Sequence, residues 1–242
     1  MEEFLTKAIV LSSVDFKEKD KQVTLFTLDS GKITAVLKGC KNPKAKLKFA
    51  FSPFCFAEFQ LVQKGNFNTI INATLIDSCF DLSTNYDNYI LASVMLEITQ
   101  NVVKFSEPDY PLFVALLGSL KSICYEQKNA KMVLVKFCLQ TLENLGYKLQ
   151  FDDCSRCNMP FMHDKFLDMS SGEFVCPNCK NLSCEKVSNL AFNSLKIINS
   201  TPIERFETIK IQPVALDEIL CLLLTNIECR VERKLSSKKM IL

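Results

Sequence analysis

CSRC at residues 154–157 and CPNC at residues 176–179 form two CxxC pairs, and eighteen residues separate them. Two thiolates three positions apart can reach one ion from a single tight turn, and a second such turn completes the tetrahedral set of four sulfurs that zinc accepts. The spacing therefore predicts one structural zinc ion (Zn2+), and the predicted ligands are Cys154, Cys157, Cys176 and Cys179.

The segment between the two pairs predicts a hairpin. Residues 166–169 and 173–175 have strand character, and the Ser-Ser-Gly turn between them would return the second pair to the first. This layout is typical of a zinc ribbon, whose closed four-cysteine site organises structure and leaves no open position for a substrate. Two disulfides, or four reduced thiols without a metal, are the alternatives, and His163 or Cys184 could replace one ligand.

The first eighty residues predict short strands separated by turns. Strand character occurs at residues 8–14, 22–29, 32–37, 53–62 and 67–77. Ser-Gly between the second and third strands, and Lys-Gly-Asn between the fourth and fifth, favour tight hairpins. Five strands in about seventy residues suit a small closed barrel, and the five-stranded oligonucleotide-binding (OB) barrel is a common nucleic-acid-binding solution of that size.

The connection between the third and fourth predicted strands, KGCKNPKAKLK, is a candidate DNA-contact region. It carries five lysines without an acidic residue, namely Lys38, Lys41, Lys44, Lys46 and Lys48. Each cation that neutralises a phosphate releases a condensed counterion, which favours binding. A solvated loop kept soluble by lysine is the alternative. Phe49 or Phe51 beside the loop could stack on bases, whereas most of the neighbouring phenylalanines are expected to fill the barrel.

Beyond residue 77 the apolar residues follow a helical period. Helices are predicted at residues 85–100, 112–125 and 130–145, with Gly146 just past the end of the third. Helical patterning resumes after Ser188, which is a good N-cap, and again near Val214. The ribbon is therefore predicted to interrupt a helical bundle.

The C-terminal tail is a second basic segment and a second candidate DNA contact. It carries one acid, Glu232, against five cations: Arg230, Arg233, Lys234, Lys238 and Lys239. Cations also stabilise the C-terminal end of a helix through its dipole. Helix capping therefore explains the first three cations as well as a ligand does.

Composition argues against several classes of protein. The 242 residues are 48% hydrophobic, so the chain can bury a sizeable core. The net charge is only +2, so the protein as a whole is not strongly basic. The single histidine, His163, disfavours hydrolase chemistry and most catalytic metal sites, and we do not expect an enzyme. The opening MEEFLTKAIV is unlike a signal peptide and the apolar runs are too short to span a bilayer, so we expect a cytoplasmic protein without a membrane contact.

Several stretches together resemble the bacterial RecO recombination-mediator proteins of the gap-repair pathway. They are the opening AIVLSSVDFKEKDKQVTLFTLDSGKITAVLKG, the loop with Asn-Pro-Lys at residues 42–44, Leu-Gly-Tyr at residues 145–147, the two CxxC pairs, and the basic end RKLSSKKMIL. Each motif is weak alone. Their order, with an embedded ribbon, makes the resemblance specific, and it covers the whole chain.

Residue patterns and resemblance together predict an α+β multidomain fold. An N-terminal OB barrel is expected at residues 1–80, a helical bundle at residues 81–150 and 185–242, and a zinc-ribbon insertion at residues 151–184. The resemblance implies binding of single- and double-stranded DNA and annealing of complementary strands, without catalytic turnover, at the nucleoid. The implied partners are RecR, the C-terminal tail of single-stranded-DNA-binding protein on the helical domain, and, indirectly, the recombinase RecA.

A zinc-ribbon adaptor whose barrel and bundle bind only proteins is the competing hypothesis. A metal-dependent nuclease would need a carboxylate cluster with the spacing that hard ions require, and no convincing one occurs in the sequence. The two leading hypotheses differ in one property, direct DNA binding.

Overall fold

The computed structural model describes residues 2–241, which divide between two compact units. One unit comprises the chain up to Tyr86 together with Leu96–Cys124, and the other comprises Asp87–Met95 together with the chain from Tyr125 onward. The strands are β1 (Glu2–Asp15), β2 (Lys21–Thr27), β3 (Gly31–Leu37), β4 (Phe56–Lys64), β5 (Phe67–Asp77), β6 (Lys165–Asp168), β7 (Glu173–Val175) and β8 (Cys184–Val187). The helices are α1 (Tyr86–Val102), α2 (Tyr110–Cys124), α3 (Ala130–Asn144), α4 (Asn189–Ser200) and α5 (Pro213–Val231).

The first five strands close into a barrel in the order β1-β2-β3-β5-β4. The long strand β1 pairs antiparallel with β4 along its first half and with β2 along its second half. Strands β3 and β5 pair in parallel and close the ring through Ala35–Leu37. The interior is filled by alternate apolar side chains, including the fully buried Val23, Leu25, Phe59 and Leu61. The predicted five-stranded barrel is confirmed.

Two strand boundaries differ from the prediction by three residues or more, and the others differ by at most two. β1 begins at Glu2 rather than residue 8, because its first residues pair with β4 as far as Glu2 opposite Gln63. β4 begins at Phe56 rather than residue 53. Pro53 has no N–H to donate, and Phe54 has a φ of 68°, which is outside the extended region.

A segment that follows α1 packs on the turn between β2 and β3. The N–H of Lys32 donates to the Lys104 carbonyl, and the N–H of Ser106 donates back to the Lys32 carbonyl, each at 3.2 Å. Gly31 has a φ of +61°, and a Cβ at this position would lie 2.0 Å from the carbonyl oxygen of Glu107. Glycine is therefore required here both by the backbone conformation and by the close approach of the second segment.

Helix α2 covers part of the outer surface of the barrel. The ring of Phe113 meets the ring of Phe26 at 5.2 Å and the ring of Phe56 at 6.1 Å, both edge to face. All three side chains are buried. Aromatic pairs of this geometry add to the free energy gained from burial alone.

Helices α3, α4 and α5 pack against one another in the second unit. The side chain of Asn129 caps α3 by accepting the Met132 N–H, and Ser188 caps α4 by accepting the Ala191 N–H. Pro213 occupies the first turn of α5, where its missing N–H is not needed. The predicted Ser188 cap is confirmed, and all five predicted helices are present. The ends of the first three lie within two residues of the predicted ones.

The ribbon is a three-stranded sheet in the order β7-β6-β8. Strands β6 and β7 form the predicted hairpin, with Phe166 opposite Val175 and Asp168 opposite Glu173. β8 was not predicted, and it pairs with the other edge of β6 from Lys165 to Asp168. Within residues 2–241, no helix combines the length and apolar character that crossing a bilayer requires.

Candidate metal centre and nucleic-acid interface

The two CxxC turns bring four sulfur atoms together. The Sγ atoms of Cys154, Cys157, Cys176 and Cys179 all lie within 4.8 Å of one another. The Sγ atoms of Cys157 and Cys176 are 3.8 Å apart. A tetrahedron with zinc–sulfur bonds of about 2.3 Å has edges of about 3.8 Å, whereas a disulfide requires about 2.05 Å. The four cysteines are therefore arranged for one structural metal ion and not for disulfides.

The two other candidate ligands lie outside this group. The Cys184 sulfur donates to Asn181 Oδ1 at 3.1 Å and accepts the Asn181 N–H at 3.3 Å. His163 is exposed, and neither residue is among the clustered ligand atoms of the described chain. Both residues are thus separate from the four-sulfur set.

Hydrogen bonds from backbone N–H groups stabilise the ionised form of one cysteine in the cluster, Cys154. Burial raises the pKa of Cys154, but N–H groups of Cys176, Cys157 and Arg156 point at its sulfur and lower the pKa to about 6. The pKa of Cys179 is raised to about 12, because its sulfur shares hydrogen bonds with Cys157 and Cys176 and lies close to Cys154. A bound cation would supply the charge that ionises the remaining thiols.

Asp168, at the end of β6, ties the two cysteine turns and the hairpin together. Its carboxylate is fully buried and forms an ion pair with Arg156, the residue inside CSRC. It also accepts the hydroxyls of Ser170 and Ser183, each at 2.6 Å, and the amide of Asn181 at 3.2 Å. Burial raises the pKa of this carboxyl, but the hydrogen bonds from Ser170 and Ser183 and the Arg156 cation hold it below its usual value.

Arg156 connects the first cysteine turn directly to the second. One of its terminal nitrogens donates to the Cys179 carbonyl at 2.7 Å, while the other contacts Asp168. A planar guanidinium can bind two acceptors at once, which a lysine cannot do with the same geometry. The arrangement holds both turns in place from outside the sulfur cluster.

The basic loop is anchored so that its lysines face solvent. Leu47, Phe49 and Phe51 are half-buried and pack against the barrel core, and the 3₁₀ turn Lys48–Phe51 lies between the loop and β4. The interleaved lysines are exposed, as are the others of the predicted set. Among described residues, an ion pair is recorded for only one of the five predicted lysines, Lys41, which contacts Asp15 Oδ2 at 2.7 Å. The two aromatic residues predicted as possible stacking platforms are thus partly occupied as anchors.

The C-terminal cations are mostly engaged within their own unit. Arg230 donates to the Ser170 carbonyl at 2.9 Å and to the Met169 carbonyl, and its guanidinium lies 4.6 Å from the centre of the Tyr147 ring. Lys238 and Lys234 contact Glu228 Oε2 at 3.1 and 3.5 Å. These contacts give Arg230, Lys234 and Lys238 structural partners within their own unit.

Sequence reasoning missed Asp168, Arg156 and the structural role of Arg230. The Asp-Met-Ser segment carried a usable signal, because an aspartate that accepts the N–H two residues later forms a common turn, and Ser170 N–H donates to Asp168 at 2.9 Å. No local pattern identifies the partners of Arg156 and Arg230, since each contacts a segment distant in sequence.

Comparison with known proteins covers almost the entire chain. The model of the recombination protein O N-terminal region matches residues 1–79, and that of the recombination protein O C-terminal region matches residues 83–239. The DNA repair protein RecO of Clostridium novyi is 29% identical over 216 residues, which cover 89% of this chain and 84% of that protein. The DNA repair protein RecO of Thermoanaerobacter sp. is 26% identical over 238 residues, covering 98% and 96% of the two chains. The chain therefore belongs to the RecO family of DNA repair and recombination proteins.

Proposed function

We propose that this protein is a recombination mediator that binds single- and double-stranded DNA and anneals complementary strands without catalytic turnover. With RecR, it displaces single-stranded-DNA-binding protein and helps to load RecA, in the cytoplasm at the nucleoid. The observation that supports this most is the exposed lysine loop on a closed five-stranded barrel in a RecO-family chain. Small barrels of this kind often present such loops to nucleic acids.

The proposed ion at Cys154, Cys157, Cys176 and Cys179 is zinc, in a structural role. Four thiolates in a tetrahedral set suit Zn2+ and leave no position for a reacting molecule. The ribbon then forms one module of a three-part chain, with an OB barrel at residues 1–80 and a helical domain at residues 81–150 and 185–242. The proposed DNA-contact residues are centred on the loop lysines, with Arg233, Lys234 and Lys239 as the tail cations that have exposed side chains.

The deciding experiment measures annealing and DNA affinity together. Wild-type protein should accelerate pairing of complementary strands coated with single-stranded-DNA-binding protein. Replacing Lys44, Lys46 and Lys48 with alanine should flatten the logarithmic salt dependence of single-strand binding by up to about 2, since each lost phosphate contact contributes about 0.7. A folded wild-type protein that neither binds nor anneals DNA would exclude the proposal.

The acidic and apolar C-terminal tail of single-stranded-DNA-binding protein is the proposed ligand of the helical unit. A groove of about 440 Å³ there is lined by apolar side chains and by charged residues of both signs. The apolar residues are Met132, Phe206, Ile209 and Ile211, and the charged residues are Lys128, Lys210, Glu126 and Glu207. Lys128 is paired with Glu207, whereas Lys210 is exposed. The groove thus offers apolar surface together with a cation.

Calorimetric titration with the tail peptide tests this contact. We expect heat of binding for the wild type and at least several-fold weaker binding for Lys210→Glu, because the substitution opposes an acidic peptide. Lys148→Glu, at an exposed site in the same unit, is the matched control and should bind normally. Equal affinity of wild type and Lys210→Glu would remove the groove from consideration.

A protein-interaction adaptor without direct DNA binding is the second candidate. Met159, Met162 and Leu182 are large apolar side chains that the ribbon leaves exposed, and surfaces of this kind often mark protein contacts. The adaptor function predicts normal partner binding by a protein with no measurable DNA affinity. The salt-series measurement above therefore discriminates between the two.

A further inference from the structure

We propose that the single-stranded-DNA surface of the barrel continues from the lysine loop onto the turn between β1 and β2. Lys17 and Lys19 would contact phosphates there and Phe16 would stack on a base. Asp15 would hold Lys41 away from the strand. This inference rests on the proposed DNA binding and extends it to residues that the sequence pattern did not single out.

Hydrogen bonds join the two segments into one surface. The N–H of Lys41 donates to the Lys19 carbonyl at 3.2 Å, and the N–H of Gly39 donates to Asp20 Oδ1 at 2.8 Å. The turn itself is closed by the Phe16 N–H, which donates to the Asp20 carbonyl at 3.2 Å. The start of the lysine loop and the β1–β2 turn therefore lie side by side.

The turn adds cations of the same kind as the loop. Lys17 and Lys19 are exposed, and within residues 2–241 no ion pair is recorded for either side chain. Glu18 is the acid between them. A lysine without a carboxylate partner can contact a phosphate without first losing an ion pair. Lys17 and Lys19 are therefore better suited than Lys41 to phosphate contacts that release counterions.

Asp15 gives Lys41 a different role. Its carboxylate contacts Lys41 at 2.7 Å and Lys21 at 3.0 Å, and these two cations lower its pKa. Lys21 also lies 5.1 Å from the centre of the Phe51 ring. One carboxylate thus neutralises part of the charge of two lysines, and Lys41 fastens the loop to β1 instead of reaching for DNA.

Phe16 provides an aromatic surface beside these cations. Its side chain is 48% exposed, and it directly follows Asp15, the last residue of β1. Lys17 Nζ lies 5.5 Å from the centre of its ring. Bases stack on exposed aromatic rings, and a neighbouring cation strengthens the site for a nucleic acid.

The test is single-strand binding across a salt series for paired variants. Replacing Lys17 and Lys19 with alanine should flatten the salt slope by up to about 1.4, at about 0.7 for each phosphate contact, whereas Lys41→Ala should change it by less than about 0.3. Asp15→Asn frees Lys41 and should steepen the slope by up to about 0.7. Phe16→Leu should weaken binding about fivefold at every salt concentration. Lys121→Ala and Asp29→Asn, at exposed sites of the same unit, are the controls.

The outcomes separate this inference from the proposed function. If wild type binds DNA but the Lys17/Lys19 variant keeps the wild-type slope, the composite surface is wrong while DNA binding stands. An unchanged slope for Asp15→Asn would overturn the role of Asp15, and unchanged affinity for Phe16→Leu would overturn stacking. A slope that changes on duplex and not on single strands would also contradict the inference, because it would assign the turn to double-stranded DNA. Absence of any wild-type binding would instead contradict the proposed function.

Discussion

Asp168 shows how much of a small metal module can depend on one side chain outside the metal site. A ribbon of this size has few buried apolar residues, and the small apolar cluster of the ribbon consists of Cys154, Phe166 and Val175 with four partly buried neighbours. The buried carboxylate compensates by accepting hydrogen bonds from three separate segments of the ribbon. A charge buried in this way is stabilising only while its partners remain in place.

Asp168→Asn should therefore loosen the ribbon without removing a metal ligand. The substitution removes the negative charge and replaces one of the two acceptor oxygens with an NH2 group, so the Arg156 guanidinium and part of the hydrogen-bond network lose their acceptor. This loss should lower local stability by about 1–3 kcal/mol. Hydrogen exchange at neutral pH should be faster across residues 154–184 while the zinc content stays near one per chain. Asp164→Asn, which affects an exposed ion pair with Lys186, is the control and should exchange as wild type does. Unchanged exchange in Asp168→Asn would show that the carboxylate is dispensable.

Individual residues differ in how far the sequence identifies them. The four clustered cysteines were predicted because their ligand chemistry and spacing are both local. Arg230 was predicted only as a DNA contact or a helix cap, because the carbonyls that it binds, at Met169 and Ser170, lie some sixty positions earlier in the chain. Partners of this kind depend on the tertiary fold, which no local pattern contains.

At the scale of elements, α5 and the ribbon hairpin are joined through Arg230. The guanidinium binds two consecutive carbonyls of the hairpin turn while it stacks on Tyr147. Close to it, Gly172 leaves room for the buried Asn226, whose side chain would lie 3.2 Å from an added Cβ. The ribbon is thus fixed to the helical part of its unit by polar contacts.

Arg230→Lys should release the hairpin turn. Lysine keeps the positive charge but loses the planar fork that reaches both carbonyls. We expect faster hydrogen exchange at residues 169–172, normal zinc content and unchanged DNA affinity. Arg233→Ala, at an exposed neighbour, should leave exchange as it is. If Arg230→Lys instead keeps the turn protected and weakens DNA binding, the tail is a DNA contact after all.

Most elements could be predicted, and the exceptions have a common cause. The strands of the barrel and the five helices follow hydrophobic periods of two and 3.6 residues, which are local signals. Strand β8 is short and polar, and the segment around Phe105 forms only isolated bridges. Both are extended because they pair with a strand distant in sequence. A short window of sequence does not show which distant strand a segment pairs with, or in which register.

For the whole molecule, the main question is what the metal contributes. Structural zinc binding is coupled to folding of the segment that supplies the ligands. Elemental analysis should find about one zinc per chain, and Cys176→Ser should lose the metal and the protection of the ribbon from hydrogen exchange while the barrel strands stay protected. Cys184→Ser is the matched control and should retain zinc, because its sulfur lies outside the four-sulfur group. A metal-free protein with a fully protected ribbon would contradict the assignment.

The cover that α2 provides over the barrel also bears on how the chain folds as it is synthesised. Phe26 and Phe56 emerge from the ribosome well before Phe113, which follows more than fifty residues after Phe56. At about 5–20 residues per second, the nascent barrel carries an uncovered aromatic surface for several seconds. Folding of the barrel is therefore not complete when its last strand has been made. Until α2 has been made, the nascent chain remains accessible to chaperones and can mispair.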